Sequence, residues 1–244
     1  MNLFITSSPF LWGTGSAFLN PENHFVENLQ EVLPPFPRVL FVASDPERHD
    51  LTCTFGMDIP IAFCQAGMPF SAFQVLDGTN AGQAAQLVHS SDFLVLAGGH
   101  VPTQNAFFRE IGLREILKNF QGTVMGISAG SMNMADMAYV QPEEAGEGID
   151  PDFVRFAPGL GLTGVNILPH YQKCKDDMLD GLRLFEDITY PDSRGNTFFA
   201  LPDGSYFFQN EDMLLLFGES YTIRDGVLTP LTRSGDCLNM ETFE

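Results

Sequence analysis

Apolar positions in this chain form short, continuous runs separated by longer segments of mixed polarity. The runs do not alternate apolar with polar residues, which is typical of strands that are covered on both faces of a sheet. The predicted strands are "NLFITSS" (2–8), "RVLFVAS" (38–44), "FSAFQVLD" (70–77), "FLVLAGG" (93–99), "GTVMGIS" (122–128) and "GVNILPH" (164–170).

The segments between these runs predict helices. Asn20 is a suitable cap for the first helix, and Pro21 fits its first position, where a missing N–H costs nothing. Because strands and helices alternate, we expect an α/β fold with a mostly parallel sheet flanked by helices on both faces. The predicted helices are 21–33, 80–90, 103–119, 129–138 and 176–188.

The pattern changes after residue 197, where Gly-containing turns separate apolar runs. Asp203-Gly204 lies within "FFALPDGSYFFQ" and Asp225-Gly226 within "YTIRDGVLTPL". Asp-Gly pairs between apolar runs are strong signals of β-hairpins. We therefore predict antiparallel C-terminal hairpins that close one edge of the sheet, and a single domain over residues 1–244.

The charge balance excludes several classes of partner. The 244 residues include 12 Lys and Arg against 31 Asp and Glu, which gives a net charge of −19. A nucleic-acid-binding protein needs a basic face that displaces counterions from phosphates, and an anionic membrane surface repels an acidic protein. We therefore expect neither nucleic acid nor a membrane as a partner.

The cysteines and the N-terminal segment favour a cytoplasmic protein. The four cysteines show no CxxC or ligand-like spacing, and in a chain of this length they do not indicate a disulfide framework. The segment "MNLFITSSPF" has neither a basic region nor the long apolar run of a signal peptide.

The segment "GISAGS" is the first candidate for chemistry. Ser128 lies between Gly126 and Gly130 as G-x-S-x-G, and small neighbours allow a sharp strand-to-helix turn that exposes a serine hydroxyl. The N–H groups of the following helix would favour a developing oxyanion. Short Gly/Ser strings also arise by chance, so the motif alone is a weak signal.

Two further strand ends supply partners for this serine. In "LAGGH", the amide of Gly99 is a candidate second oxyanion donor beside that of Ala129. In "ILPHYQ", His170 ends an apolar run, and we expect it at the same sheet edge as Ser128, where it is a candidate base. An acid that orients the imidazole is sought in the loop "QPEEAGEGID" (141–150), which carries Glu143, Glu144, Glu147 and Asp150.

Taken in order, "LAGG", "GISAGS", the acidic loop and "PGLGLTGVNILPHY" resemble the peptidase E / cyanophycinase family of serine peptidases. The resemblance extends over about residues 38–228 and includes "YTIRDG" as a typical tail. It implies a class I glutamine amidotransferase-like fold, with Ser128 as nucleophile where amidotransferases have cysteine and His170 as base. It also implies that Gly99 and Ala129 form the oxyanion hole.

The resemblance leads to Glu143 as the acid, because the acid of peptidase E lies fifteen residues past its serine. In cyanophycinases the acid is a glutamate slightly further on, which corresponds to Glu147. The family carries a cation for the aspartyl side chain of its substrate, and Lys173 in "HYQKCKDDM" is a candidate. Gly98-Gly99-His100 replaces the "GGN" turn of peptidase E, and we assign Gly98 and His100 to substrate binding.

The leading hypothesis is a serine peptidase that hydrolyses short peptides, with N-terminal aspartyl dipeptides implied by the resemblance. A Ser-His-Glu triad needs no metal and no cofactor. An esterase shares the motif, but His170 follows Ser128 by only 42 residues, which is short for an α/β-hydrolase. A non-catalytic protein that binds a small ligand on the same fold remains the alternative from another class. The expected partner is a small peptide, and a homodimer is left open.

Overall fold

The strands of the computed structural model, which describes residues 1–12 and 17–242, agree with most of the predicted runs. Residues 13–16, between the second and third strands, lie outside the described part. In chain order the strands are β1 (Asn2–Thr6), β2 (Phe10–Trp12), β3 (Ala17–Leu19), β4 (Arg38–Val42), β5 (Ala72–Leu76), β6 (Phe93–Leu96), β7 (Thr123–Ile127), β8 (Met137–Tyr139), β9 (Phe156–Pro158), β10 (Ile167–Leu168), β11 (Met178–Leu179), β12 (Leu182–Arg183), β13 (Thr197–Ala200), β14 (Tyr206–Gln209), β15 (Leu214–Phe217), β16 (Ser220–Arg224), β17 (Val227–Thr232) and β18 (Cys237–Asn239).

The helices follow the predicted alternation less closely. The α-helices are α1 (Phe25–Val32), α2 (His49–Gln65), α3 (Ala84–His89), α4 (Val101–Glu110), α5 (Leu113–Leu117), α6 (Ala129–Met132), α7 (Tyr171–Cys174) and α8 (Tyr190–Asp192). Short 3-10 helices cover Glu22–His24, Ala81–Gln83 and Met240–Thr242, and a π-helix covers Leu184–Thr189. No helix in the described residues is both long and apolar enough to cross a membrane.

The main sheet confirms the predicted fold class. Within the described residues it has eight strands in the order β18-β15-β14-β1-β7-β6-β4-β5. The five strands β1, β7, β6, β4 and β5 are parallel to one another, whereas β14, β15 and β18 extend the β1 edge with antiparallel pairing. Alternate residues of β6 pack into different clusters, Phe93 into one and Leu94 into the other, which shows that both faces of the sheet are buried.

A second sheet, in the order β10-β13-β16-β17, changes two predictions. Asp225-Gly226 forms the predicted hairpin, since Arg224 pairs with Val227 across β16 and β17. Asp203-Gly204 does not, because β13 belongs to the second sheet and β14 to the main sheet. The strand before His170 is β10, so His170 does not follow a strand of the sheet that carries Ser128.

Two helix predictions also differ from the structure, and one helix was not predicted. The helix after Ser128 ends at Met132, and β8 follows at Met137. The predicted helix over 176–188 is the short β11–β12 pair followed by the π-helix. Helix α2 was not predicted, because apolar residues occur all around it and Pro60 lies inside it, which obscures a helical pattern.

Candidate active site

Ser128 occupies a strained turn between β7 and α6. Its backbone has φ 50° and ψ −112°, a conformation that non-glycine residues rarely adopt. Such outliers persist only where the surrounding structure holds them, and they occur disproportionately at functional sites. The geometry therefore matches the sharp strand-to-helix turn that the G-x-S-x-G motif predicts.

The glycines on either side of Ser128 are required by close backbone contacts. A Cβ at Gly126 would lie 2.5 Å from the amide nitrogen of Ser131, and one at Gly130 would lie 2.4 Å from the carbonyl oxygen of Leu96. Both contacts are with backbone atoms, which cannot rotate away as a side chain can. The motif is thus a packing requirement of the turn as well as a sequence signal.

Strand β1 holds this turn in place by hydrogen bonds. The amide of Ser128 donates to the carbonyl oxygens of Thr6 and Ser7, at 3.1 and 3.0 Å. The Ser131 hydroxyl donates to the Thr6 carbonyl and accepts from the Thr6 amide, both at 2.8 Å. These bonds connect the start of α6 to the neighbouring strand, which fixes the position of the serine.

Gly99 and Ala129, whose amides are the candidate oxyanion donors, lie beside Ser128. Gly99 follows β6 with φ 152°, and a Cβ there would lie 2.5 Å from the hydroxyl of Ser44. Ala129 is the first residue of α6. Among the described residues, neither amide has a hydrogen-bond acceptor, and both residues line a cavity that also contains Ser128.

The imidazole of His170 pairs with Asp203. Its Nδ1 lies 2.6 Å from Oδ1 of Asp203, and His170 itself has a left-handed backbone with φ 58°. A carboxylate can only accept, so Nδ1 carries a proton, and in the neutral imidazole Nε2 is the acceptor. No hydrogen bond joins His170 to the Ser128 hydroxyl within the described residues, a contact that commonly tightens only when substrate binds.

Asp203 is held in its ionised form by its surroundings. Its Oδ2 lies 2.6 Å from Nζ of Lys173, and its amide donates to the Gln172 side chain at 3.0 Å. Burial of the carboxyl opposes ionisation, but the hydrogen bonds and charges of His170 and Lys173 outweigh it, so the pKa of Asp203 lies well below its usual range. A permanently charged carboxylate is suited to orient an imidazole.

Ser7 connects the serine, the histidine and the aspartate. This buried residue follows β1, and its hydroxyl accepts from the His170 amide at 2.8 Å and donates to Oδ1 of Asp203 at 3.1 Å. Its carbonyl accepts from the Ser128 amide at 3.0 Å. Ser7 is therefore placed to position all three residues.

We expect Ser7→Ala to lower kcat about tenfold with KM nearly unchanged, because His170 and Asp203 lose the hydroxyl that holds both. Loss of one buried hydrogen-bonding hydroxyl costs about 1–2 kcal/mol of unfolding free energy. Steady-state kinetics and denaturant unfolding measure the two effects. Ser91→Ala is the matched control: its buried hydroxyl donates to the Leu87 carbonyl at 2.8 Å, so stability should fall without a change in kcat.

The expectation that Glu143 or Glu147 contacts His170 is not met. Oε1 of Glu147 lies 2.8 Å from Nε2 of His100, and its Oε2 accepts the amides of Glu143 and Glu144, each at 2.9 Å. Oε1 of Glu143 accepts the Val101 amide at 3.4 Å. Although Glu143 is exposed as a residue, protein atoms crowd its carboxyl group, and this burial raises its pKa. The acidic loop is thus fastened to the start of α4.

Pairing with a carboxylate does not by itself identify a catalytic histidine here. His49 also contacts a carboxylate, that of Asp77, and its Nε2 lies 3.5 Å from Sγ of Cys53. His100 has Glu147 on one nitrogen and Thr103 on the other. Only His170, among these paired histidines of the described chain, lines a cavity together with Ser128.

One group of side chains has the composition of a metal site. His100, Glu144 and Glu147 each offer a ligand atom within 4.8 Å of the others. Glu147 already accepts two backbone N–H groups and contacts the imidazole, so His100 and Glu147 have partners within the protein, while Glu144 adds only an exposed carboxylate. The arrangement needs no ion to explain it.

Cavities open on both sides of Ser128 and share Gly99, Ser128 and His170, as far as the described residues show. The loop cavity, of about 220 Å³, lies against the acidic loop and β11; Gln141, Glu143, Asp177 and Leu179 are among its lining residues. The α2 cavity, of about 390 Å³, lies against α2 and β2; Phe10, Gly98, Leu51 and Phe55 are among its lining residues. A substrate carbonyl at Ser128 would therefore have space on either side.

The predicted site residues are only partly brought together. Ser128, His170, Gly98, Gly99 and Ala129 lie around the cavities, whereas Lys173 pairs with Asp203 and His100 with Glu147. Sequence reasoning missed Asp203 and Ser7. Both follow apolar strands, as do Ser128 and Gly99, and this shared position was the available signal.

Comparisons with known proteins identify the fold. No protein-family description matches the chain, and no curated protein matches its sequence. Among solved structures, the chain is similar to a "Putative Peptidase E Protein from Listeria monocytogenes EGD-e" with a TM-score of 0.58 and 15% identity. The match covers 95% of this chain and 98% of that protein. The chain therefore has a peptidase E-like fold.

Proposed function

We propose that this protein is a serine peptidase that hydrolyses short peptides through an acyl-enzyme. The observation that carries the proposal is the arrangement around the cavities beside Ser128: Ser128 lies on its strained turn, His170 lines the same cavities, and Oδ1 of Asp203 lies 2.6 Å from Nδ1 of His170. Order and roles agree with a Ser-His-acid triad. The similar fold of the Listeria protein supports the same class of reaction.

In the first half of the reaction, the Ser128 hydroxyl attacks the substrate carbonyl and its proton moves to Nε2 of His170. Asp203 holds Nδ1–H and stabilises the imidazolium that results. The negative charge on the carbonyl oxygen is stabilised by the amides of Gly99 and Ala129. The proton on Nε2 then passes to the leaving amine as the C–N bond breaks.

In the second half, water hydrolyses the acyl-enzyme. His170 takes a proton from the attacking water, the oxygen of Ser128 leaves the acyl carbon, and it recovers its proton from Nε2. The same oxyanion donors serve both halves.

Acidic residues in the loop cavity favour an exopeptidase that binds the free amino group of its substrate. Glu143 and Asp177 line the loop cavity, and the chain carries a net charge of −19. Both features attract the ammonium group of an N-terminal residue. The resemblance to peptidase E extends to N-terminal aspartyl dipeptides, which are therefore included among the test substrates.

The proposal is tested by hydrolysis of a panel: Asp-Leu, Leu-Leu, an aspartyl anilide and a simple ester. We expect peptide cleavage, and we expect a fluorophosphonate probe to label Ser128 on the peptide identified by mass spectrometry. Ser128→Ala should lose both signals. Labelling of Ser128 together with cleavage of the ester but of no peptide would indicate an esterase. If Ser128 is not labelled and no substrate is cleaved, the alternative of a ligand-binding protein is favoured.

A further inference from the structure

The α2 cavity has apolar walls that extend from the core to the surface. The inner wall contains Phe10, Phe41 and Ile59, which are at most 6% exposed. The outer wall contains Leu51 and Phe55, in the first two turns of α2, which are 42% and 51% exposed. Large apolar side chains that face water beside a concave surface are a common feature of ligand sites, because a bound apolar group covers them. The residues share this cavity with Ser128, so whatever covers them lies beside the nucleophile.

The charges around this cavity do not suit an acidic side chain. Arg48 lines it together with Asp45 and Asp58, so carboxylates outnumber cations. Lys173, which the resemblance offers as the cation for an aspartyl group, has its ammonium 2.6 Å from Asp203. An aspartyl side chain would therefore enter a cavity whose charged lining residues carry a net negative charge, and it would lose part of its hydration there.

We propose that the α2 cavity is the subsite for a bulky apolar side chain, of the Leu, Met or Phe class, on a residue that flanks the scissile bond. This inference rests on the proposed peptidase function. At about 390 Å³ the cavity falls in the usual range for ligand sites, and its walls leave an apolar group in contact with Phe55 and Leu51. The protein is thus selective for apolar rather than aspartyl peptides at this position.

The test is a substrate series of Xaa-Ala and Ala-Xaa dipeptides in which Xaa is Ala, Leu, Met, Phe or Asp. At one of the two positions, Leu, Met and Phe should raise kcat/KM about tenfold or more over both Ala and Asp, the size of discrimination that an apolar pocket provides. The variant Phe55→Gln should reduce the Leu-to-Ala ratio about tenfold, mainly through KM.

Met57→Gln is the matched control. Met57 lies two residues from Phe55 on the same helix and is 69% exposed, but it does not line the α2 cavity. Its substitution should leave the Leu-to-Ala ratio unchanged. Equal rates for Leu, Ala and Asp peptides at both positions, or an unchanged ratio in Phe55→Gln, would overturn the proposed subsite.

A second measurement separates this subsite from the peptidase function. An octyl and an ethyl fluorophosphonate are compared as labels of Ser128, and the octyl probe should react about tenfold faster in the wild type but not in Phe55→Gln. If Ser128 is labelled but peptides are not cleaved, the peptidase proposal fails and the probe ratio alone decides the subsite. If neither probe reacts and no peptide is cleaved, both proposals fail.

Discussion

Replacing Asp203 with asparagine is expected to lower kcat by about 10³- to 10⁴-fold, the effect of the same change in other Ser-His-Asp triads. The asparagine amide can donate to Nδ1 of His170, which would leave the proton on Nε2, the nitrogen that must accept the serine proton. KM should change little, because Asp203 lies behind the imidazole and lines neither cavity. Steady-state kinetics over the dipeptide panel measures the loss.

Matched substitutions distinguish a catalytic effect from a structural one. Asp77→Asn alters a buried aspartate that also contacts a histidine, His49, and neither residue lines either cavity, so it should cost stability and leave kcat near wild type. Glu147→Gln, at the residue that the resemblance offered as an alternative acid, should change kcat by less than about tenfold. A loss of 10³-fold in Glu143→Gln or Glu147→Gln, with Asp203→Asn active, would return the acid to the acidic loop.

The strained turn at Ser128 and the glycines around it were predictable because their determinants are local. The glycines at 126 and 130 are needed within a few residues of Ser128, and Gly99 is needed where β6 ends. Such a turn requires glycine at fixed positions around the serine, whichever strands and helices the rest of the chain forms. Because Gly99 follows β6 and Ser128 follows β7, two parallel neighbours in the main sheet, both residues lie at the same edge of that sheet.

The contact between Asp203 and His170 was not predictable in the same way, because it depends on which sheet a strand joins. An Asp-Gly pair between apolar runs favours a hairpin, and the same pair at 225–226 does form one. At 203–204 the chain instead passes from β13 in the second sheet to β14 in the main sheet. That passage carries Asp203 to His170, and no local pattern distinguishes it from a hairpin.

Helix α2 was not predicted because exposed apolar residues obscure its pattern, and some of these residues line the α2 cavity. Its apolar residues lie on opposite sides: Ile59 and Phe63 are buried, whereas Phe55, Met57 and Ile61 are exposed. A helix that packs against a core on one face only gives a clear apolar stripe, and this one does not. The exposed apolar residues that obscure the pattern include those that line the cavity beside Ser128.

Gly130→Ala is expected to destabilise the fold by about 3 kcal/mol or more, because the added methyl group has no room. Its Cβ would lie 2.4 Å from the carbonyl oxygen of Leu96 and 2.8 Å from that of Ala97, at the end of a central strand. Relief requires α6 to move away from β6, and α6 carries Ala129 and follows directly on Ser128. Activity should therefore fall together with stability.

Denaturant unfolding measures this effect, with Gly82→Ala as the control. Gly82 lies in a 3-10 helix with no atom within 4 Å of the added Cβ, so its substitution should change the unfolding free energy by less than about 1 kcal/mol. If Gly130→Ala were as stable as Gly82→Ala, the close packing of α6 on β6 would be wrong. In that case the strained position of Ser128 would no longer follow from the contacts of its neighbours.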